Sequence, residues 1–243
     1  MLPRFVGRLG IADAVTIANA GLGFVAVVVA FVDIRLAARL ILLAAIADGL
    51  DGILARQYGG TAAGPYLDSL ADVASFAIAP AVLAFVVVSD GLEIGFEAVS
   101  VELGVVTGVC ALFVAMAVAR LGLYTAYDTA DDYTEGIQTT LAATIMGAAI
   151  LAGHPVDDPW LVLAVTGAFC YLMVSRIRYP DLLARDALIM GVVHALAMLV
   201  PNVAGRTFPY ALLTLGIAYM TLSPWFYWRE EPAPVEERAA GVE

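Results

Sequence analysis

Long apolar runs restrict the folding of this chain more than any other feature of its sequence. Hydrophobic residues make up 62% of the chain, whereas about half is typical of a soluble globular domain. Several runs approach or exceed the roughly 18 residues with which a helix crosses the hydrocarbon core of a bilayer. The sequence therefore predicts an all-α, polytopic membrane helix bundle. About eight transmembrane helices are expected, over residues 11–32, 36–56, 64–88, 103–124, 137–153, 160–177, 187–200 and 210–228.

The distribution of arginine along the chain predicts the orientation of this bundle. Cytoplasmic loops of membrane proteins carry an excess of basic residues. If both termini are cytoplasmic, most of the arginines fall on the inner side, and the end of the second helix and the start of the third lie at the inner face. The inner arginines are Arg4, Arg8, Arg56, Arg120, Arg176, Arg178, Arg185, Arg229 and Arg238, and the outer ones are Arg35, Arg39 and Arg206.

The overall charge argues against nucleic acid as a partner and suggests the kind of organism from which the protein comes. All 12 basic residues are arginine, against 23 acidic residues, which gives a net charge of -11. This acid excess argues against a nucleic-acid partner. Acid-rich loops without lysine are typical of a high-salt cytoplasm, so we expect a halophilic archaeon, with a GC-rich bacterium as the alternative.

Four aspartates, Asp48, Asp51, Asp68 and Asp72, lie where the second and third predicted helices approach the inner face. A charged side chain at the centre of a membrane helix costs roughly 2.5–3.5 kcal/mol, so such acids mark functional positions. Members of each pair are three or four residues apart and share one helix face. Two antiparallel helices joined by a short turn would bring both pairs together. Oxygen ligands alone suit Mg²⁺ or Mn²⁺, which also accept a substrate phosphate.

Small residues beside the aspartates leave room for a ligand. Gly52 lies one turn after Asp48, and Ala55 lies one turn after Asp51. A bulky group can therefore approach the backbone there. Arg56 supplies a cation for a phosphate. A transporter site would not need this arrangement. The alternative of acids merely solvated around a helical hairpin does not account for four acids at helical spacing with apolar residues on both sides.

These residues resemble the signature of the CDP-alcohol phosphotransferases, which is D-x-x-D-G-x-x-A-R followed by G-x-x-x-D-x-x-x-D. Here "DGLDGILAR" begins at Asp48 and "GPYLDSLAD" begins at Gly64, so every fixed residue of the signature is present. The seven residues "QYGGTAA" separate the two parts, where eight are usual in the family. We expect this departure to tighten the turn, helped by Gly59 and Gly60, and to leave the chemistry unchanged.

Other segments are similar to the phosphatidylserine synthases within this family. "LDSLADVASFAIAPA" is similar to their third-helix segment, "YLMVSRIRYP" to a later element and "TIAN" to an element of their first helix. "AVARLGLYTAYD" is a weaker match to the end of their fourth helix, because the Phe-Asn pair that follows it in the family is absent. The resemblance covers the chain to about residue 180.

The resemblance implies a transferase that moves the phosphatidyl-type group of a CDP-activated lipid to the hydroxyl of L-serine and releases CMP. The lipid would be CDP-diacylglycerol, or CDP-archaeol if the source is an archaeon. Two divalent metals, Mg²⁺ or Mn²⁺, would bridge the carboxylates and the pyrophosphate. By motif position Asp48, Asp51 and Asp68 would be the principal metal ligands, and Asp72 would be the general base that also touches the second metal.

Further substrate ligands follow from the same resemblance. Gly52, Ala55, Arg56 and Gly64 would line the nucleotide. Asn19, in "TIAN", is a candidate for nucleotide contact, with a helix–helix hydrogen bond as the alternative. Three arginines at predicted inner helix ends are candidates for binding lipid phosphate or the serine carboxylate, with anchoring in the inner leaflet as the alternative. They are Arg120, Arg176 and Arg178.

The expected organisation has four parts. Residues 1–10 form an amphipathic interfacial segment, because the apolar run that follows is too long for a signal peptide. Residues 11–180 form a six-helix catalytic membrane core, and residues 181–228 add two C-terminal transmembrane helices. Residues 229–243 form a disordered acidic tail, since they have little to bury. The resemblance implies a homodimer. We expect it in the plasma membrane, and the arginine distribution predicts that its active site faces the cytoplasm.

Three other functions fit parts of the pattern. The acceptor could be glycerol phosphate or inositol phosphate, although such acceptors would favour more cationic residues near the inner face. A cation transporter could use the aspartates as an ion site, but the sequence shows neither broken spans nor inverted repeats. A non-catalytic membrane scaffold would leave the ordered signature unexplained.

Overall fold

The computed structural model describes residues 7–96, 98, 100–128, 133–153, 158–180, 182 and 184–227. These residues form eight continuous helical rods. The α-helices are α1 (Ile11–Ala30), α2 (Ile34–Tyr58), α3 (Gly64–Asp72), α4 (Ala79–Gly91), α5 (Val101–Leu123), α6 (Thr139–Ala152), α7 (Pro159–Met173), α8 (Ala184–Leu199) and α9 (Thr207–Phe226). A π-helical segment, Val73–Ile78, joins α3 to α4, and a second, Tyr124–Asp128, continues α5. A 3-10 turn, Val203–Gly205, precedes α9.

The predicted helical class is confirmed, since each predicted span overlaps one rod. Three rods in the described part of the chain are long and apolar enough to cross a membrane: Ile11–Ala30, Gly64–Gly91 and Val101–Tyr127. Helices α6 and α7 are apolar but shorter. The count of eight spans and the orientation of the termini therefore remain predictions. Residues 1–6 and 228–243, with Arg4, Arg229 and Arg238, lie outside the described residues.

Two clusters of buried apolar side chains hold the rods together. One surrounds Phe113 of α5 and Phe169 of α7, and it includes Tyr219 of α9. The other surrounds Leu42 of α2 and includes Leu212 of α9. Helix α9 thus contributes to both clusters, and α8 and α9 pack in one body with the preceding helices.

Two arginines, one near the start of α2 and one just before α9, cap the C-terminal ends of two other helices. Arg39 Nε donates to the carbonyl oxygen of Met198 in the last turn of α8, at 2.8 Å. Arg206 Nη1 donates to the carbonyl oxygen of Ala152, the last residue of α6, at 3.1 Å. The last carbonyls of a helix lack intrahelical donors and carry partial negative charge. Both arginines were predicted on the outer side, and these contacts give them a structural role.

A two-stranded antiparallel sheet lies near the opposite end of the bundle, and the sequence analysis did not predict it. Strand β1 (Tyr133–Glu135) pairs with β2 (Arg178–Pro180), and Thr134 lies opposite Tyr179. Gly136 ends β1 with a φ of 77° and donates its N–H to the carbonyl oxygen of Ile177 at 2.8 Å. A Cβ at this glycine would lie 2.2 Å from the carbonyl oxygen of Met173. Only glycine fits so close an approach.

Helix α1 packs closely against the π-helical segment that follows Asp72. Ser75 donates its hydroxyl to the backbone carbonyl oxygen of Asn19 at 2.8 Å. Gly23, one turn further along α1, permits this contact, since a Cβ there would lie 2.7 Å from both Ala74 C and Ser75 Oγ. Close packing at this point fixes the distance between α1 and the segment carrying Asp72.

We predict that Gly23→Ala destabilises the protein by about 1–3 kcal/mol, the usual cost of overpacking a well-packed contact. Gly21→Ala is the matched control, because a Cβ at Gly21 meets nothing within 4 Å and both changes raise helix propensity equally. Thermal unfolding in detergent measures the difference. Equal melting temperatures for the two variants would show that α1 and the π segment can separate freely.

Candidate active site

A cavity of about 420 Å³ opens where the N-terminal end of α1, the C-terminal end of α2, the start of α3 and the π segment after α5 meet. Acids, hydroxyls and small residues form its wall, so it offers both space and oxygen ligands. The lining residues are Ala12, Asp13, Thr16, Asp48, Asp51, Gly52, Ala55, Gly60, Thr61, Gly64, Pro65, Asp68, Ser69, Tyr124 and Thr125.

The hairpin of α2 and α3 brings three of the four predicted aspartates into one group. Asp48 faces Asp68 and Asp72 across the hairpin, and one carboxylate oxygen from each lies within 4.8 Å of the others. The Asp48 carboxyl is within hydrogen-bonding reach of the other two. The four-residue spacing places Asp68 and Asp72 on one face of α3, and the antiparallel hairpin sets Asp48 opposite them.

Asp51 lines the same cavity but has a different partner. Thr16 Oγ1 of α1 donates to Asp51 Oδ2 at 2.6 Å, and both side chains are buried. Asp51 therefore lies beside the group of three, held by a hydroxyl from the neighbouring helix. Its other carboxylate oxygen, Oδ1, is not used by this hydrogen bond.

The donor set fits a divalent cation. Asp72 is 7% exposed, and its Oδ1 is a buried atom without a hydrogen-bond partner in the described structure. A buried carboxylate oxygen without a donor is costly, and a cation relieves that cost. Carboxylate oxygens alone, with room beside them, match the preference of Mg²⁺ and Mn²⁺.

Not all of the five predicted nucleotide-binding residues line the cavity. Gly52, Ala55 and Gly64 line the cavity. Arg56 is exposed at its rim, where a Cβ added at Gly52 would lie 3.6 Å from Arg56 Nη1. Asn19 does not line the cavity. It lies on a buried face of α1, and its side-chain amide has no hydrogen-bond partner in the described part of the chain.

The three predicted substrate-binding arginines lie in different surroundings. Arg120, in the last turn of α5, is buried and close enough to Asp68 and Asp72 to interact electrostatically with both. Arg178 lies on the exposed face of the sheet, paired with Glu135 at 3.3 Å. Arg176 is exposed, and neither it nor Arg178 is among the residues that line the cavity.

Sequence reasoning missed a polar contact that ties α1 to the turn between α2 and α3. Asp13 Oδ2 accepts hydrogen bonds from Gly10 N at 2.7 Å and from Thr61 Oγ1 at 2.9 Å. The turn itself contains Gly59 with a φ of 89°. Asp13 is a buried acid three residues before Thr16, so both share one face of α1. That spacing within an apolar run was a signal in the sequence.

A second missed group forms the opposite wall of the cavity. The hydroxyls of Ser69 and Thr125 lie 2.5 Å apart, and Thr125 Oγ1 donates to the carbonyl oxygen of Leu121 at 2.8 Å. Ser69 must then donate to Thr125. The contact joins α3 to the π segment after α5, a pairing that no local sequence pattern predicts.

Helical rods long enough to cross a membrane and an acid-lined cavity agree with the class of membrane enzyme that the motifs resemble. The chain belongs to the CDP-alcohol phosphatidyltransferase family, which it matches over residues 9–222. The match includes α8 and most of α9.

Two curated relatives show which kinds of enzyme this chain is similar to. The chain is 26% identical over 183 residues to an archaetidylserine synthase from Methanothermobacter thermautotrophicus, which covers 73% of this chain and 72% of the relative. It is 32% identical over 153 residues to a CDP-diacylglycerol--serine O-phosphatidyltransferase from Helicobacter pylori, which covers 60% of this chain and 61% of the relative.

Proposed function

We propose that this protein transfers the phosphatidyl-type group of a CDP-activated lipid to L-serine, as the names of both relatives suggest. The observation that carries the proposal is the group of Asp48, Asp68 and Asp72, of which the first two line a cavity large enough for a nucleotide. The products are CMP and phosphatidylserine, or archaetidylserine if the lipid is CDP-archaeol. The acid excess without lysine and the archaeal relative support the archaeal lipid.

Asp48, Asp51, Asp68 and Asp72 would hold two divalent cations, Mg²⁺ or Mn²⁺. When bound, the cations neutralise charge on the pyrophosphate as the phosphoryl group transfers. The chain's part is to hold the carboxylates in place with rigid contacts. Thr16 orients Asp51, and the α2–α3 hairpin sets the other three.

Asp72 is proposed as the general base. The serine hydroxyl oxygen forms a bond to the lipid-bearing phosphorus, and the bond from that phosphorus to the bridging oxygen breaks. CMP leaves with that oxygen and the bonding electron pair. The hydroxyl proton passes to a carboxylate oxygen of Asp72, one of which, Oδ1, has no hydrogen-bond donor in the described structure.

The remaining parts of the cavity suit the nucleotide. Gly52, Ala55 and Gly64 leave the backbone accessible, so the cytidine can lie against α2 and the start of α3. Arg56 at the rim can meet a phosphate oxygen. Arg120 offsets part of the negative charge of the carboxylates on the opposite side.

The setting in the cell is part of the same proposal. The protein would lie in the plasma membrane, and the arginine bias supports an orientation with both termini and the cavity on the cytoplasmic side. The family resemblance supports a homodimer.

Activity should require a divalent cation. Like-charged carboxylates this close repel one another, so the substrate's pyrophosphate cannot approach them without cations. We expect transfer to stop when bound metal is removed with EDTA and to return on addition of Mg²⁺ or Mn²⁺. The measurement is CMP release by purified protein, with Ca²⁺ as the comparison ion. Full turnover in excess EDTA after metal removal would contradict the metal role.

Serine should be the preferred acceptor. Purified protein is offered serine, glycerol 3-phosphate and inositol 1-phosphate side by side with the same CDP-lipid, and product formation is measured. We expect the fastest transfer to serine, because the phosphorylated acceptors bring further negative charge to an acidic cavity. Faster transfer to either phosphate would replace the proposed acceptor and leave the family membership intact.

Asp72→Asn should lower kcat by about 10²–10⁴-fold, the usual contribution of a positioned general base. The change keeps the shape of the side chain and removes the proton acceptor. CDP-lipid affinity should survive better than in the matched variant Asp48→Asn, which removes a proposed metal ligand.

The comparison of turnover with CDP-lipid affinity, made for both variants, separates the two roles. Near-normal kcat in Asp72→Asn would show that another group accepts the proton. A loss of affinity as severe as that of Asp48→Asn would make metal binding the main role of Asp72.

A further inference from the structure

The guanidinium of Arg120 is hydrogen-bonded to a residue that does not belong to the group of Asp48, Asp68 and Asp72. Its Nη2 donates to Thr134 Oγ1 of β1 at 3.2 Å, and its guanidinium carbon lies 5.0 Å from the centre of the Tyr124 ring. Arg120 and Thr134 are both buried, with 6% and 2% of their surfaces exposed. The same guanidinium interacts electrostatically with Asp68 and Asp72. Thr134 therefore contacts the cation that faces the carboxylates.

Thr134 is in turn fixed by the two-stranded sheet. It lies opposite Tyr179 of β2, and the antiparallel register turns both residues to the buried face. Successive side chains of a strand point to opposite faces. Arg178 and Glu135 accordingly form their ion pair on the other, exposed face.

Helix α9 anchors the sheet. The hydroxyl of Tyr219 donates to the carbonyl oxygen of Pro180, the last residue of β2, at 2.6 Å. The rings of Tyr219 and Tyr179 also lie near one another, with 6.4 Å between their centroids. A continuous series of contacts thus runs from α9 through β2 and β1 to Arg120.

We propose that Thr134 is a positioning residue that fixes the guanidinium of Arg120 beside Asp68 and Asp72, and that Tyr219 of α9 holds the sheet carrying it. The proposal rests on the proposed transferase function, since catalysis reports the position of Arg120. It gives α9 a part in the active site although α9 contributes no residue to the cavity wall. Arginine has a long flexible side chain. A fixed hydrogen-bond partner for its guanidinium restricts the rotamers in advance, so less conformational entropy is lost in each turnover.

The test compares Thr134→Val with Thr134→Ser. Valine keeps the shape and removes the hydroxyl, so kcat should fall roughly tenfold, the size expected for losing a hydrogen bond to a charged group. CDP-lipid affinity should change much less than kcat. Serine keeps the hydroxyl and should restore most of the activity.

Thr166→Val in α7 is the matched control. Thr166 is fully buried and donates to the carbonyl oxygen of Val162 in its own helix at 2.8 Å. Its loss should lower the melting temperature about as much as Thr134→Val does and leave kcat at the wild-type value. This comparison separates loss of position from loss of stability.

Tyr219→Phe tests the anchor. It should lower kcat in the same direction as Thr134→Val, and the double variant should lose less than the product of the two single effects, because both act through one series of contacts. Wild-type kcat in Thr134→Val, an equal loss in Thr134→Ser, or multiplicative effects in the double variant would overturn the proposal. If the wild-type protein prefers another acceptor to serine, the same comparison is made with that acceptor, so failure of the proposed acceptor is a separate result.

Discussion

Repulsion among carboxylates at the end of the α2–α3 hairpin is the constraint on which the rest of this structure depends. Carboxylate oxygens of Asp48, Asp68 and Asp72 lie within 4.8 Å of one another. Two unit charges about 4 Å apart interact by roughly 4 kcal/mol at the effective dielectric constant typical of a protein surface. Rigid backbone contacts and nearby cations must therefore hold the group. Arg120 is one such cation in the described structure, and the proposed metals are the others.

Two π-helical segments help to build this arrangement, and both lie close in the chain to residues of the site. Val73–Ile78 comes after Asp72, and Tyr124–Asp128 comes four residues after Arg120. π-Helical turns inside α-helices occur frequently at functional sites. One extra residue in a turn rotates the rest of the rod by about 100° relative to a regular α-helix. Asp68 and Asp72 can thus face Asp48 while the buried face of α4 remains directed into the core.

The features that depend on local helical periodicity could be predicted from the sequence. The spacings within each aspartate pair fix a shared helix face, so the structure could be expected to bring Asp48, Asp68 and Asp72 together. The predicted spans likewise overlap the observed rods, because long apolar runs leave little choice of structure in a membrane. The small residues Gly52 and Ala55 line the cavity for the same reason: they lie one helical turn from the acids.

Features set by contacts between distant parts of the chain were not predictable in this way. Arg120 and Arg178 looked alike in the sequence, since each follows an apolar run. Their positions differ because Arg120 remains on a helix face, whereas Arg178 lies in a strand whose register turns it outward. The spacing of Asp13 and Thr16 marks a shared face of α1, but the partner of Asp13, Thr61, lies beyond the whole of α2 and has no local signal in the sequence.

The balance of charge around the cavity also bears on which acceptor the protein uses. The proposed CDP-lipid would bring a pyrophosphate to a wall that carries Asp13, Asp48, Asp51 and Asp68, with Asp72 next to the last of these in the acid group. Arg56 and Arg120 are the arginines that the described structure places beside this wall, and the proposed metals would supply further positive charge. An acceptor with its own phosphate would add two negative charges without bringing a cation. Serine is a zwitterion whose ammonium group can approach the carboxylates, so the electrostatics of the cavity support the proposed acceptor.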